Sequence, residues 1–309
     1  MKITWLAGLL AIAATLSLAV TGVEKLFSQE EPAGQEKSVG QEKLPLHEKR
    51  MSPDDLKLSG ELPGVPANSV RFVSYLELAK LPQVTFTVTD DPNFKKKAEI
   101  TGVHLDEILA ALGIPGKNTL IAAICDDEYE AHYPVEYRAA HHPILVLRLN
   151  GKQLAVSKRT GDGGIYGPYL ISHPSFTSRY RTLAHPEEAQ IPNGVIELRF
   201  VKEDLALGAI HPPGEFADGS PQMQGYLIAR ENCFRCHNAG PYGGRKASVS
   251  WSSLAKMADS KPVYFSAYIK DPPSQSAYAE MPSFPDYDDA TLAALTAYFR
   301  AFAPEDGSK

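Results

Sequence analysis

The sequence predicts a multidomain α+β protein, and three observations carry that prediction. An apolar run of membrane-crossing length opens the chain, giving an N-terminal transmembrane helix. A middle segment alternates apolar and polar residues with period two, as a mixed, mostly-β domain does. In a C-terminal segment the apolar residues recur every three to four positions, as in an all-α domain. At 309 residues the chain has room for about two domains of ~150 residues each, and its apolar fraction of 43% can supply their cores. The expected parts are an anchor or signal at 1–23, a flexible charged linker at 24–56, the mostly-β domain at 57–206, a joint at 207–220 and the helical domain at 221–309.

Ile3 to Val23 carries no charged residue. As a helix it would span ~30 Å, enough to cross a bilayer core. A cleaved signal peptide has a shorter apolar region ending in a small-x-small site. No good site of that kind precedes Glu24 and there is no lipobox cysteine, so an uncleaved anchor in the membrane is favoured over a cleaved signal. Either would place the remainder in a bacterial periplasm or on the outer face of the cytoplasmic membrane. From Glu24 to about Asp55 the chain is rich in Glu, Lys and Gln, and "GQEK" occurs at Gly34–Lys37 and Gly40–Lys43. Such a stretch buries too little to fold alone. Net charge is −6 with no basic stripe, which argues against a nucleic-acid partner.

In the middle segment, "VTFTVTD" (Val84–Asp90) alternates as a strand should. Leu105, Ile108, Leu109 and Leu112 share one helical face, and Gly113 and Pro115 end that helix. "TLIAAIC", "PILVLRLNGKQL" and "GVIELRFV" read as strands, the second turning at Asn150-Gly151. The Pro/Gly-rich "LGAIHPPGEFADGSP" (Leu207–Pro221) then gives way to helical patterns. One leads into "CFRCH" and one lies around "WSSLAKMA". The last, "DDATLAALTAYFRAFAP", has Leu292, Leu295, Phe299 and Phe302 on one face and Asp288 and Asp289 in its first turn.

Two of the three cysteines lie in Cys233-Phe234-Arg235-Cys236-His237. Covalent haem attachment needs two thiols one turn apart for the vinyl groups and an imidazole directly after them for the iron. "YAEMPSFP" offers Met281 as the other axial ligand, with Pro282 and Pro285 stiffening its loop. A structural zinc site would want two Cys/His pairs where this segment has one. A thioredoxin-like dithiol belongs at a helix start in a βαβ setting, and chance is the remaining alternative. Met257, in the apparent helix "LAKMA", and His211, in the joint, are rival sixth ligands. A Met in an amphipathic helix is more often core filling.

On "GYLIARENCFRCHNAG", "MPSFP" and "LAALTAYFRAF", residues from about Pro221 to Pro304 resemble a small class I cytochrome c domain. The resemblance implies one covalent haem c on Cys233 and Cys236, with His237 proximal and Met281 distal. It also implies a Gly on the first helix packed on an aromatic of the last, here Gly225 and Tyr298, and a Pro carbonyl orienting the proximal His, here Pro241.

More loosely, Val70 to Val201 resembles the molybdopterin-binding domain of the sulfite oxidase family. The matching stretches are "TGVHLDEILAALGI", "AAICDDEYEAHYP", "LRLNGKQLAV", "GGIYGPYLISHP" and "VIELRFV". That family holds molybdenum through a cysteine ahead of the Gly-Val-x-Leu helix, where this chain reads "VTFTVTDDPNFKKKAEI" without one. Cys125 follows the helix, beside Asp126, Asp127 and Glu128, which disfavour its thiolate, and reads as a structural residue. The pterin-gripping arginines have only loose counterparts in Lys158, Arg159 and Arg179, so a molybdopterin is not expected and the domain reads as a cofactor-free relative. His132, His141, His142, His173 and His185, with Asp126 or Glu128, are the candidates for a second metal site. Adjacent or pre-proline placement makes them poor ones.

The leading functional expectation is an extracytoplasmic, membrane-anchored monohaem c-type cytochrome that passes single electrons to a redox partner protein, its middle domain a docking scaffold. It is an electron-transfer protein more than an enzyme. The alternatives are a sulfite oxidase-like molybdenum oxidoreductase feeding its own haem, and a haem-based sensor whose sixth site opens to a ligand.

Overall fold

The computed structural model describes residues 43–154 and 168–303. In order, the strands are β1 (Leu56–Gly60), β2 (Arg71–Val73), β3 (Val84–Val88), β4 (Ala98–His104), β5 (Thr119–Cys125), β6 (Glu130–Tyr133), β7 (Ile144–Leu149), β8 (Lys152–Gln153), β9 (Tyr169–Ser172), β10 (Arg181–Thr182), β11 (His185–Pro186) and β12 (Asn193–Lys202). The helices are α1 (Tyr75–Leu78), α2 (Leu105–Leu112), α3 (Val135–His141), α4 (Glu203–Gly208), α5 (Pro221–Glu231), α6 (Trp251–Ser260), α7 (Pro262–Lys270), α8 (Pro272–Gln275) and α9 (Asp289–Arg300). Ten strands form one sheet of order β2-β1-β12-β9-β7-β4-β3, with β5 on β12, β6 on β5 and β8 on β7, while β10 and β11 make a separate ribbon.

β12 organises the sheet. One edge carries antiparallel β5; the other carries β9 at its start and parallel β1 further on. Val195 and Leu198, at odd spacing, would face opposite sides of a regular strand. A register shift between Val195 and Glu197 brings both into one core with Phe200, Ile121 and Leu58, as a bulge does. Glu197 and Arg199 are left on the other face, beside Lys57, Ser59 and Glu130.

The sequence reads one helix in the middle segment, α2, which ends at Gly113 in the left-handed conformation (φ 69°). The structure adds α1, α3 and α4 there. Tertiary contacts that no local pattern announces hold α3. Its buried Arg138 donates to the carbonyls of Thr119 (2.7 Å), Tyr133 (2.7 Å) and Gly116 (2.9 Å) and pairs with Asp106 at 2.8 Å.

The predicted fold class needs correction. The described residues belong to a single compact unit, Gln41–Lys309, of mixed α/β architecture, and no freestanding all-α domain forms from 221–309. The C-terminal helices share their packing with the sheet: Leu120 and Ala122 of β5 cluster with Ala206, Leu207 and Tyr242, and Leu183 packs on the helical core. The joint is itself core, since Ile210 is fully buried among the helices and its carbonyl accepts the Tyr298 hydroxyl. Ahead of β1, Leu44 N donates to Ala111 O at 3.2 Å and His47 bridges to Phe72. The expected transmembrane helix is not carried by the structure either. Among the described residues no helix is long and apolar enough to cross a membrane, and Ile3–Val23 itself lies outside them.

Candidate functional site

α5 begins at Ser220, whose side chain accepts from Met223 N, with Pro221 at the first helical position. It runs to Glu231, and a 3₁₀ turn over Cys233–Arg235 follows. In that turn Cys233 O accepts both Cys236 N (3.1 Å) and His237 N (2.9 Å), which sets the two thiols and the imidazole around one bend. α9 lies across α5 at close range. A Cβ on Gly225 would stand 2.2 Å from Ala294 O and 2.5 Å from Tyr298 Cβ, so only glycine allows this approach. The loop after the turn is as tight, a Cβ on Gly244 falling 1.8 Å from Arg235 O.

These elements enclose a cavity of about 370 Å³ lined by Cys233, Cys236, His237, Met281, Phe284 and Tyr287, with Lys246 and Glu280 also on its wall. That volume falls in the ~300–1,000 Å³ range of cofactor pockets. His237 is 9% exposed, and its Nδ1 donates to Val249 O at 2.6 Å. The proton is thereby fixed on Nδ1, leaving Nε2 as a free lone pair. Burial holds the imidazole pKa below its usual value, the bond to Val249 opposing that shift, so the ring is neutral at neutral pH and competent as a ligand. The orienting carbonyl belongs to Val249; Pro241 is exposed and stands on a different groove.

The thiols are poor redox or zinc groups. Burial pushes Cys233 up to about 12, with Cys236 adding to the rise, and burial also raises Cys236, against Lys246 and Arg235. Reactive Cys-x-x-Cys pairs show the opposite shift.

Behind the turn lies a polar layer that joins helices to sheet. Phe234 is fully buried and stacks on His132 of β6 at 4.5 Å. Arg235 pairs with Glu188 at 3.1 Å, Lys246 with Asp127, and Arg245 N donates to Glu128 O at 3.0 Å. Glu231 accepts the Tyr180 hydroxyl and, at 3.3 Å, Glu188 N. His185 Nε2 lies 3.0 Å from Asn232 Nδ2.

The other sequence candidates are dispersed. Met257 packs in the helical core and does not line the cavity. His211 turns its ring to Tyr226 at 5.3 Å. Cys125 is buried at the end of β5, its thiol pushed up by burial and by Asp127 and Asp126. His132 contacts Glu130 at 2.9 Å, His141 contacts Glu187 at 3.1 Å, and His173 Nε2 lies 2.8 Å from the Tyr137 hydroxyl. His142 caps α3 at φ 46°. Arg179 is committed to Glu187, and Lys158 and Arg159 lie outside the described residues. Among the described residues no group of three or more His, Cys, Asp or Glu could hold a metal ion. The expectation of metal binding by a cluster of protein side chains is corrected accordingly: among the described residues His132 and His141 face the carboxylates of Glu130 and Glu187, His173 faces the Tyr137 hydroxyl, and they do not converge. Val249, Tyr287 and the Arg235–Glu188 pair escape a sequence reading. Only Tyr287, directly before the capping Asp288, leaves a local signal.

No family model matches the chain, and no curated protein does. Among solved structures, the sulfane dehydrogenase SoxCD from Paracoccus pantotrophus aligns at 15% identity and a TM-score of 0.32, over 50% of this chain and 40% of that one. The alignment thus takes in less than half of that protein's length, and a likeness so slight bears on neither fold nor activity.

Proposed function

We propose that the chain is a one-electron carrier of the monohaem c-type, passing electrons between partner proteins outside the cytoplasm. One observation carries the reading: a single cavity gathers two neutral thiols from one turn, a neutral imidazole with Nδ1 already engaged, and the thioether of Met281. Those groups fit a haem c, with Cys233 and Cys236 holding the porphyrin through thioethers and His237 and Met281 offered to the iron. When bound, the haem supplies one-electron chemistry. Phe284 and Leu295 on the cavity wall exclude water and so keep the imidazole neutral. The sheet segment, fixed behind the turn through Phe234, Arg235 and Glu188, leaves the Met281 side for a partner.

Intact mass and a reduced-minus-oxidised spectrum of the exported protein test the reading. A mass increment of one haem and a c-type α-band are expected, both lost when Cys233 and Cys236 become alanine. Met281→Ala should keep the mass and lower the reduction potential as the thioether ligand is lost. A chain without covalent porphyrin, or molybdenum near one per chain, overturns it.

A further inference from the structure

β3 forms one border of the ten-stranded sheet, with β4 as its neighbour on the inner side. The register between them is unbroken, from Val84 opposite Gly102 to Val88 opposite Ala98. In an antiparallel pair alternate residues of a strand bond to the neighbour, so the rest of β3's N–H and C=O groups point outward. Among the described residues, none pairs with that outward row. The sheet's other borders offer less. β6 is buried along its whole length, the outer side of β2 is bridged by His47 through Phe72, and β8 has two residues only.

An exposed border is ordinarily blunted by a charge, a proline or a bulge within the strand. β3 has none of these. No residue from Leu81 to Thr89 is charged, and Pro82 stands two residues before the strand. Val84, Phe86 and Val88 belong to the small apolar core formed with Ala98, Ile100 and Ile144, and Phe86 is only half-buried there. Thr85 and Thr87 are exposed on the opposite face. The strand's sequence, Val-Thr-Phe-Thr-Val, reads the same in both directions. Set antiparallel to a second copy about a two-fold axis at Phe86, it matches itself: Phe86 meets Phe86, Thr85 meets Thr87 and Val84 meets Val88. Each pair joins residues of one face and none brings like charges together. Aromatic, β-branched and Thr–Thr pairs are those that favour such a ladder.

We infer that β3 is a homodimer interface, at which two copies of this chain join their sheets through an antiparallel Val84–Val88 ladder centred on Phe86. A two-fold contact of this kind closes on itself and leaves no free border at β3 to recruit a third copy. It gives the outward backbone groups their partners and completes the burial of Phe86. The inference is independent of the haem reading.

Sedimentation velocity of the full chain over a wide concentration range tests it, alongside two double variants. Thr85→Lys with Thr87→Lys sets lysine opposite lysine twice across the axis. Thr85→Glu with Thr87→Lys sets glutamate opposite lysine twice. Both variants place the same lysine beside Glu99 of β4, and both lose the Thr85 hydroxyl contact with Thr101 at 2.9 Å, so the monomers are matched. Wild type should pass from monomer to dimer as concentration rises. The Glu/Lys variant should dimerise at least as tightly, and the Lys/Lys variant about ten-fold more weakly, with far-UV dichroism unaltered. Hydrogen exchange locates the contact without a variant: amides within Val84–Val88 should slow as the wild type dimerises. A wild type that stays monomeric, open-ended oligomers, equal dissociation constants for the two variants, or β3 exchange indifferent to concentration overturns the inference.

Discussion

Glu231 shows how much one buried side chain decides here. It is 8% exposed, accepts from Tyr180 and Glu188 N, and has His185 at 3.5 Å and Arg230 at 3.9 Å. Burial lifts its carboxyl from 4.5 to about 7, against the pull of the Glu188 N–H, Arg235 and Arg179. An acid with a raised pKa binds more protons folded than unfolded, so its contribution to stability falls as pH climbs from about 4.5 to about 7. Glu231→Gln keeps the acceptor and removes the charge. Its stability relative to wild type should grow across that window, reaching ~3 kcal/mol above it. Urea titrations of both proteins at several pH values measure the difference, and a pH-independent difference refutes the assignment. His141 and His173, held neutral by burial, act in the opposite sense, with stability lost as pH falls below about 6.5; they are present in both proteins and cancel. The sequence shows the thiol–thiol–imidazole spacing because that chemistry is local. It cannot show the raised Glu231 carboxyl or the Val249 carbonyl, because both are made by chain that returns from elsewhere.

At the scale of elements, the α5–α9 crossing depends on one missing side chain. Gly225→Val would drive a branched side chain into Ala294 O and the Tyr298 Cβ, so the helices must part. Overpacking of that kind costs ~1–3 kcal/mol, and backbone is harder to displace than side chain, so a loss near the top of that range is expected. Gly208 ends α4 with an ordinary φ and nothing within 4 Å of where an added methyl would stand, so Gly208→Ala should be neutral or gain ~0.5 kcal/mol. Thermal denaturation of the pair decides; equal effects would remove the crossing as the cause. Amphipathic periodicity makes α2, α6 and α9 legible, and β-branched runs do the same for β3, β5 and β12. α3 is not legible, because it is held by Arg138 reaching three carbonyls of other segments. The bulge in β12 is equally hidden, since its evident alternation masks one extra residue.

For the whole molecule, the question is whether helices and sheet unfold together. The sequence divides them at a Pro/Gly-rich stretch, a signal that ordinarily marks a linker, but burial overrides it at Ile210. The faces that meet cannot be left in water cheaply. Phe234 would lose its stack on His132, and Arg235 would lose Glu188. Glu231 and Asn232 would lose the Tyr180 and His185 contacts that satisfy them. Each part-buried polar contact left unpaired costs ~1–3 kcal/mol, so several lost together are comparable to much of a small domain's total stability of ~5–15 kcal/mol. The two parts should therefore unfold in one step. Trp251 is buried in the helical core, in contact with Phe234 at 5.6 Å, and reports that half by fluorescence; far-UV dichroism in the strand region reports the sheet. In urea the two curves should coincide in midpoint, as two-state unfolding requires. Glu188→Ala, which removes the partner of Arg235, should lower both midpoints together. Separate midpoints, or a Glu188→Ala effect confined to the sheet signal, would show that the helical part stands alone after all.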